Sequence, residues 1–281
     1  MGILSGLAKM GLGRFESAEL FEKKEEPPKK EVVEEVKKKE IDERDYILEK
    51  TFECPVCFKS FKDSKVKANK ARLIRQDKDL RPVYADIDKG KYDITSCPYC
   101  GYSALDKNFY TIAPPQAKLI KEQISRSFRS FNRYFVISYD EALERYRLAI
   151  ANCIVKKGKA SEKAFLCLKM AWTIRGYIEE YEKNGLDNTE KVQELKNDEE
   201  ELIGNAVEGF VSARATESFP IAGMDTVTLD YLLAVLCLRQ GNLDDAGRYV
   251  MSVLQNRNAS SRIKNNTLEL KAEIIEKKHN M

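Results

Sequence analysis

The sequence predicts a mainly α-helical protein in which a small β-containing zinc-ribbon module precedes a tetratricopeptide-like helical repeat array. Two Cys-Pro-x-Cys turns, at residues 54–57 and 97–100, predict the zinc module, because each turn can direct two sulfurs at one ion. Apolar residues at spacings of three and four continue from Pro114 almost to the C-terminus and predict the helices. The predicted regions are a charged tether at 1–44, a four-cysteine module at 45–112 and a helical domain at 113–281.

The composition is that of a globular protein with many charged helix faces. Of the 281 residues, 43% are hydrophobic, enough for a sizeable core, and 33% are charged, above the usual quarter. The net charge of +3 is too small to indicate nucleic-acid or membrane binding by itself. No apolar run approaches the roughly 20 residues that span a bilayer. Four of the seven cysteines have metal-ligand spacing and three are isolated, which favours a reducing, cytoplasmic location.

The N-terminal region is predicted to be a disordered or partly helical tether. Residues 21–44 consist almost entirely of Glu and Lys around Pro27-Pro28 and contain too few large apolar side chains to offset the entropy of ordering. Residues 1–20 carry apolar side chains at loosely helical spacing, but Lys9 and several glycines interrupt the apolar core that a signal peptide needs.

The two cysteine pairs are predicted to hold one structural Zn²⁺ ion through four thiolates, those of Cys54, Cys57, Cys97 and Cys100. Gly101 follows the second pair, where a positive φ often closes such a turn. Phe58 has the equivalent place after the first pair, so that turn must close differently or carry strain. Iron also suits a four-thiolate site, and the choice between the two metals stays open.

Redox chemistry is the rival interpretation of the same cysteines. Cys-Pro-Tyr-Cys, at residues 97–100, is also the active-site tetrapeptide of glutaredoxins. A redox pair of this kind lies at the start of a helix in a βαβ unit, and no such pattern surrounds these residues. The paired spacing favours zinc, and a cysteine-based redox or stress sensor is the alternative.

The long segment between the pairs is predicted to form hairpins that rest on the metal. Its short β-like runs are broken at Arg81-Pro82 and Lys89-Gly90, and its length leaves room for an inserted helix or loop. Asp77 and Asp79 are compatible with a second metal site or an acid–base pair. No His or third carboxylate lies close in sequence, so exposed carboxylates in a turn are the favoured interpretation.

Basic residues around the module raise nucleic-acid binding as a further alternative. They are Lys59, Lys62, Lys65, Lys67, Lys70, Arg72, Arg75, Arg126, Arg129 and Arg133. Several aspartates dilute their field, and aromatic residues do not alternate with the lysines as a stacking platform requires. Affinity of this kind would fall steeply with salt.

Helical periodicity begins at Pro114-Pro115. An apolar stripe that recurs from Ile120 to Phe135 predicts one amphipathic helix. Further helices are predicted around residues 138–153, 164–174, 192–210, 228–239, 243–255 and 262–278.

A repeat is indicated by the segment Tyr231–Leu254, in which Gly241 forms a tight turn between two apolar helices. Small Ala246 allows close approach of neighbouring helices, and the equivalent Ala142 lies 104 positions earlier, close to three tetratricopeptide periods of about 34 residues. The sequence therefore predicts a tetratricopeptide-like solenoid of three to four units, with a helical bundle as the alternative.

Isolated residues give little indication of catalysis. Trp172 and Arg175, about one turn apart, are a candidate interaction surface, although a tryptophan in a helix core is the more common arrangement. His279, the only histidine, lies in the C-terminal tail, and no nucleophile or phosphate-loop motif is present. The protein is therefore expected not to be an enzyme.

Three stretches resemble the bacterial domain-of-unknown-function 2225 family: the first cysteine pair, the Asp-x-Asp-x-Arg-Pro block that begins at Asp77, and residues 92–104 around the second pair. Residues 168–175 are similar to the helical Ala-Trp signature of that family. Phe58 stands where a glycine is usual in the family. The resemblance covers about residues 45–255 and implies a cytoplasmic zinc-ribbon protein with tetratricopeptide-like helices and no known activity. It also implies a shared role for Asp77, Asp79 and Arg81, a salt-bridged clasp that holds the insert to the ribbon.

The function expected from these features is that of a non-enzymatic adaptor. The metal would fold a module too small to bury a sufficient core, and the helical array would offer a groove to an unknown protein or peptide partner.

Overall fold

The computed structural model describes residues 42–130, 133–186 and 189–280. The predicted tether at 1–44 lies outside these residues except for its last three. Six strands and seven α-helices are present in the described residues, with the strands preceding the helices. This order confirms the predicted fold class, a small β-containing module that carries the cysteines followed by a helical array.

The strands form three separate antiparallel hairpins. Each two-stranded pair comes from neighbours in the chain: β1 (Ile47–Glu53) with β2 (Ser60–Val66), β3 (Leu73–Gln76) with β4 (Pro82–Tyr84), and β5 (Ile94–Ser96) with β6 (Ser103–Leu105). The first and third hairpins each close through a Cys-Pro-x-Cys turn, so the sequence motif and the hairpin loop are the same feature.

The helices run from α1 to α7 in chain order. Their bounds are Pro114–Ile120, Tyr139–Val155, Ala160–Lys183, Glu190–Thr216, Thr226–Arg239, Leu243–Gln255 and Ser261–His279. Side chains of Ser138, Thr189, Asp225, Asn242 and Ser260 accept backbone hydrogen bonds at the starts of α2 and of α4 to α7. Each such cap contributes about 1 kcal/mol to helix stability. These capping residues place the helix starts that periodicity alone leaves uncertain.

The first predicted helix is shorter than expected. The stripe from Ile120 to Phe135 predicted one helix, but α1 ends at Ile120, a π-helical turn covers Lys121–Ser125, and Phe135 is exposed. Ser125 Oγ donates a hydrogen bond to the carbonyl of Cys100 (2.9 Å), so this stretch follows the second cysteine turn rather than a straight helix axis. Phe131 lies outside the described residues.

The middle hairpin does not rest on the metal site, contrary to the prediction. Leu80 at its tip packs against two clusters of helix side chains, one formed mainly by α3, α4 and α5 and the other by α5, α6 and α7. Lys78 of the same tip donates to Glu273 of α7 (3.1 Å). A 3₁₀-helical turn at Lys89–Tyr92 follows this hairpin in the segment between the cysteine pairs. Apolar contact with the helices, not the metal, therefore holds this hairpin.

The helices share cores with the third hairpin. Ile94 and Leu105 lie in one apolar cluster with Tyr146 of α2 and Ile174 of α3. Helices α5 and α6 form the predicted helical hairpin, in which Gly241 has φ +75° and Ala246 is fully buried. By contrast, α3 and α4 contain 24 and 27 residues, more than a 34-residue unit can hold as a pair. The 34-residue register stays a prediction, and the helical array is what the structure establishes.

Adjacent substitutions in α6 test this packing. We expect Ala246→Leu to destabilise the fold by about 1–3 kcal/mol, because Ala246 is fully buried against α5 and added methylenes overpack such a site. Gly247→Ala is the matched control: a Cβ at Gly247 meets no atom within 4 Å, so better helix propensity should stabilise by up to about 1 kcal/mol. Urea unfolding followed by circular dichroism measures both, and equal effects of the two changes would contradict the close contact.

Candidate metal centre

The two cysteine turns have the same backbone geometry. In the first, the Phe58 N–H donates to the Cys54 carbonyl (2.8 Å) and the Cys54 N–H to the Lys59 carbonyl (3.1 Å). In the second, the Gly101 N–H donates to the Cys97 carbonyl (3.1 Å), and the Cys97 N–H donates to the Tyr102 carbonyl (2.8 Å). Phe58 has φ +61° and Gly101 φ +75°. The first turn therefore closes like the second, and Phe58 carries the strain that Gly101 avoids.

The turns bring the four predicted ligands together. All four Sγ atoms lie within 4.8 Å of one another, with Cys54 and Cys100 separated by 3.5 Å and Cys57 and Cys97 by 3.6 Å. Four sulfurs at a Zn–S distance of about 2.3 Å would lie about 3.8 Å apart in a tetrahedron. Cys57 is partly exposed and the other three are buried. The donor set and its spacing fit a closed tetrahedral metal site.

Backbone N–H groups donate to the first sulfur of each turn, while contacts among the sulfurs lower the pKa of Cys97 and raise the pKa of Cys100. The backbone N–H groups of Val56 and Cys57 donate to the Cys54 sulfur, and those of Tyr99 and Cys100 donate to the Cys97 sulfur. Such bonds favour the thiolate form. Hydrogen bonds from the Cys100 and Cys54 thiols lower the pKa of Cys97 to about 2, and the same contacts raise the pKa of Cys100 well above its usual value. Four thiolates this close need a cation to coexist.

An aromatic cluster encloses the inner side of the site. The rings of Phe52 and Phe61 lie 5.8 Å apart across the first hairpin, and Phe109 contacts both edge-on. Tyr102 stacks near Phe109 (5.1 Å) and donates its hydroxyl to the Phe109 carbonyl (2.9 Å). This apolar shell lowers the local dielectric and shields the sulfurs from solvent on that side.

Helical residues attach to the second turn. Asn152 of α2 donates its side-chain amide to the Gly101 carbonyl (2.9 Å). A Cβ at Gly101 would lie 2.6 Å from the ring of Phe128, so the chain after α1 passes directly against this glycine. Gly101 is therefore required both for its positive φ and for the close approach of Phe128.

The predicted clasp residues contact the helices instead of the cysteine hairpins. Asp79, expected to be an exposed turn carboxylate, is 4% exposed. Its Oδ2 accepts hydrogen bonds from Trp172 Nε1 (3.0 Å) and Arg175 Nη2 (2.7 Å), both on α3. Arg81 donates both terminal nitrogens to Glu179 (2.8 and 2.7 Å). Asp77, Asp79 and Arg81 thus join the middle hairpin to α3, which corrects the expected attachment to the ribbon.

The candidate interaction surface at Trp172 and Arg175 is corrected by the same contacts. Trp172 is only 9% exposed, and Arg175 divides its donors between Asp79 and Glu199 (2.7 Å each). The two groups that were separate in the sequence analysis, the clasp and the surface, form one intramolecular network. Periodicity could not reveal this, since Asp79 and Arg175 are 96 positions apart.

The Arg81–Glu179 pair gives a pH-dependent prediction. Burial raises the pKa of Glu179, but hydrogen bonds and charge from Arg81, together with Arg75 and Arg175, lower this pKa below its usual 4.5 on balance. The folded state therefore binds a proton at Glu179 less readily than the unfolded chain. The resulting stability is complete above about pH 4.5 and is lost as the pH falls below it. We expect Glu179→Gln to unfold more easily at pH 7, by on the order of 1 kcal/mol.

The difference between Glu179→Gln and wild type should narrow as the pH approaches 3, measured by urea unfolding at each pH. Glu180→Gln, an exposed neighbour, is the control and should match wild type throughout. A destabilisation of Glu179→Gln that persists unchanged at pH 3 would contradict the ion pair.

A buried ionic network was missed by the sequence analysis. Arg145 of α2 is 1% exposed and donates to Asp63 of β2 (2.9 Å) and to Glu141 (2.6 Å). Arg133 also donates to Asp63. The only sequence signal is that Glu141, Arg145 and Asn152 share a helix face beside the apolar stripe of α2. The network links the first hairpin to the helical array.

The basic residues raised for nucleic-acid binding do not form one patch. Several of them pair with carboxylates: Lys62 with Glu49, Lys65 with Asp106, Arg75 with Asp77 and Arg133 with Asp63. Lys67 donates to the Asp45 carbonyl (2.9 Å). Intramolecular pairing therefore removes about half of the predicted basic cluster.

None of the described helices combines the length and the apolar character needed to cross a bilayer. No curated protein and no solved structure matches the chain. The family described as "Uncharacterized protein conserved in bacteria (DUF2225)" matches residues 47–274, which include the three hairpins, all four clustered cysteines and nearly all of the helical array. Because the match spans most of the chain, this protein belongs to the bacterial DUF2225 family.

Proposed function

We propose that the chain is a non-enzymatic adaptor in which one Zn²⁺ ion holds the cysteine hairpins together and the helical array binds a protein or peptide partner. The observation that carries this proposal is the cluster of four sulfurs within 4.8 Å, with three of the four cysteines buried. Four protein ligands complete a tetrahedron and leave no position for a substrate, which is typical of structural rather than catalytic zinc.

The carboxylates support a structural role as well. In the described residues, the four cysteines are the only group of three or more acidic, cysteine or histidine side chains in reach of one ion. Asp79, Glu179 and Glu199 are occupied by arginines. The proposed cytoplasmic location rests on the seven free thiols, which suit a reducing compartment.

The proposed partner surface is the outer face of α7. Leu268 and Ile275 are 52% and 58% exposed, and their spacing of seven places them on one face of the helix. Exposed Ala272 lies between them on the same face. An apolar stripe on the last helix of an array fits an amphipathic peptide. Panning a peptide library on the full chain should yield binders whose affinity is lost in Leu268→Asp/Ile275→Asp. Binders unaffected by that double change would contradict this surface.

Metal analysis tests the structural site. Mass spectrometry of protein purified without added metal is expected to find one zinc per chain. Chelation should expose four thiols to a thiol reagent, while Cys153, Cys167 and Cys237 should react only after denaturation, because all three are buried in helices. Finding iron instead of zinc would change the identity of the proposed metal but not its structural role. Protein with no bound metal and freely oxidising cysteines would instead support the redox-sensor alternative.

A further inference from the structure

Two exposed aromatic side chains lie on the outer side of the metal centre, one on each cysteine turn. Phe58 is 68% exposed and Tyr99 is 54% exposed. Lys59 Nζ lies 5.0 Å from the Tyr99 ring centroid, and Lys121 Nζ lies 5.1 Å from the Phe58 ring centroid. These four residues form a continuous surface that we call the aromatic tip. Lys59 of the first turn lies against the Tyr99 ring of the second turn. Lys121, in the segment after α1, lies against the Phe58 ring of the first turn.

Phe58 costs the fold stability at its position. A non-glycine residue at φ +61° is strained, and the equivalent position in the other turn is Gly101. Exposure of two thirds of the side chain means that burial of the ring does not offset this strain. A large aromatic side chain held in a strained conformation and pointed at solvent is a sign of binding rather than of folding.

The charge around the aromatic tip is positive. Lys59, Lys121, Arg126 and Arg129 are exposed, and among the described residues none of them is within ion-pair distance of a carboxylate. The only acidic residue in 114–130 is Glu122, which lies beside Lys118 (4.0 Å). Arg126 and Arg129 flank the stretch that contacts the second turn, since Ser125 bonds the Cys100 carbonyl. Lys59, Arg126 and Arg129 of the predicted basic cluster thus lie at the metal end, together with Lys121.

We propose that the aromatic tip binds single-stranded nucleic acid, with bases stacked on Phe58 and Tyr99. Four cations would hold the phosphates: Lys59 and Lys121 of the tip and the neighbouring Arg126 and Arg129. Unpaired bases offer flat faces that stack on exposed rings, and a single strand brings a phosphate beside each base. A duplex hides its base faces, so the tip should discriminate against it. An acidic peptide would satisfy the cations but would leave both rings without a stacking partner. This activity goes beyond the proposed protein-binding role of the array. It uses a cationic aromatic surface at the cysteine turns, whereas the proposed protein-binding surface is the apolar face of α7.

Fluorescence anisotropy with the zinc-loaded full chain tests the proposal, using labelled dT15, U15, a 15-bp duplex and a 15-residue polyglutamate. We expect dT15 or U15 to bind more tightly than the duplex and polyglutamate. The logarithm of the affinity should fall with the logarithm of salt with a slope of about −3, since each cation on a single strand contributes about −0.7. Preference for one of the two oligonucleotides would identify DNA or RNA as the natural ligand.

Variants separate stacking from folding. Phe58→Leu and Tyr99→Leu keep apolar side chains but remove the flat rings, and each should weaken dT15 binding roughly 5- to 100-fold. Phe58→Gly should raise or preserve the unfolding midpoint, because it relieves the positive-φ strain, and should still lose binding. Lys62→Ala is the control, since Lys62 is exposed on the same hairpin but already pairs with Glu49.

A substituted tryptophan reports the contact directly. The chain has one tryptophan, Trp172, which is buried. Tyr99→Trp adds an exposed one, and stacking of a base should quench its fluorescence. Failure of wild type to bind either oligonucleotide at 20 mM salt would overturn the proposal. Polyglutamate that binds as tightly as dT15, with no effect of Phe58→Leu on either, would also overturn it and identify an acidic protein as the ligand.

Discussion

Cys97→Ser is expected to release the metal and unfold the cysteine hairpins. Three remaining thiolates cannot close the tetrahedron, and metal binding in structural zinc sites supplies about 10–16 kcal/mol of folding free energy. Zinc per chain should fall to near zero by mass spectrometry. The near-ultraviolet circular dichroism of the cluster around Phe52, Phe61, Tyr102 and Phe109 should be lost, because those rings pack on the sulfurs.

Most of the helical signal should survive in Cys97→Ser. The two apolar clusters formed mainly by α3 to α7 consist of helix side chains, residues of the α4–α5 and α6–α7 connections, and Leu80 of the middle hairpin. The far-ultraviolet circular dichroism at 222 nm should therefore stay close to wild type. Cys237→Ala is the control: this cysteine is buried in α5 away from the site, and its variant should keep one zinc. Complete unfolding of Cys97→Ser would contradict a helical array that is stable without the metal.

Arg145→Ala is expected to be the most destabilising substitution outside the metal site. The Arg145 guanidinium is 1% exposed and neutralises Asp63 and Glu141. Without it, both carboxylates lose a buried positive charge that pairs with them. Removal of one member of a buried ion pair typically costs about 3–5 kcal/mol. For a domain of this size such a loss corresponds to a fall in melting temperature on the order of 10 °C. Urea unfolding and thermal melts measure the change.

Arg147→Ala provides a control on the same helix. Arg147 is 56% exposed and lies 3.8 Å from Asp198, so its loss should cost less than about 1 kcal/mol. Equal effects of the two substitutions would show that the Arg145 network contributes no more than a surface ion pair. Asp63 also keeps Arg133 and Lys65 as neighbours, so Arg145→Ala is expected to lower stability without abolishing folding.

Local chemistry allowed the cluster of four cysteines, the candidate metal centre, to be predicted from the sequence. A Cys-Pro-x-Cys turn determines its own geometry, and Gly101 and Phe58 report the positive φ that the turn requires at each site. The order of strands and helices was also predictable, because periods of two and 3.6 reflect local burial. The length of the first helix could not be predicted from the apolar period. Where α1 ends depends on the contacts that Ser125 and Phe128 make with the second cysteine turn.

By itself, then, the sequence determined the cluster of four cysteines, a helical domain and its approximate helix positions, since each depends on neighbours in the chain. Only the tertiary structure decided the partners of charged residues. It placed Asp79 against Trp172 and Arg175 and buried Arg145 between Asp63 and Glu141. Within the described residues, it left Lys59 and Lys121 beside exposed rings and without a carboxylate partner. The physical reason is that a charge on a helix face or in a turn has no local preference for one opposite charge. Its partner is selected by which distant segment the apolar cores bring within about 4 Å.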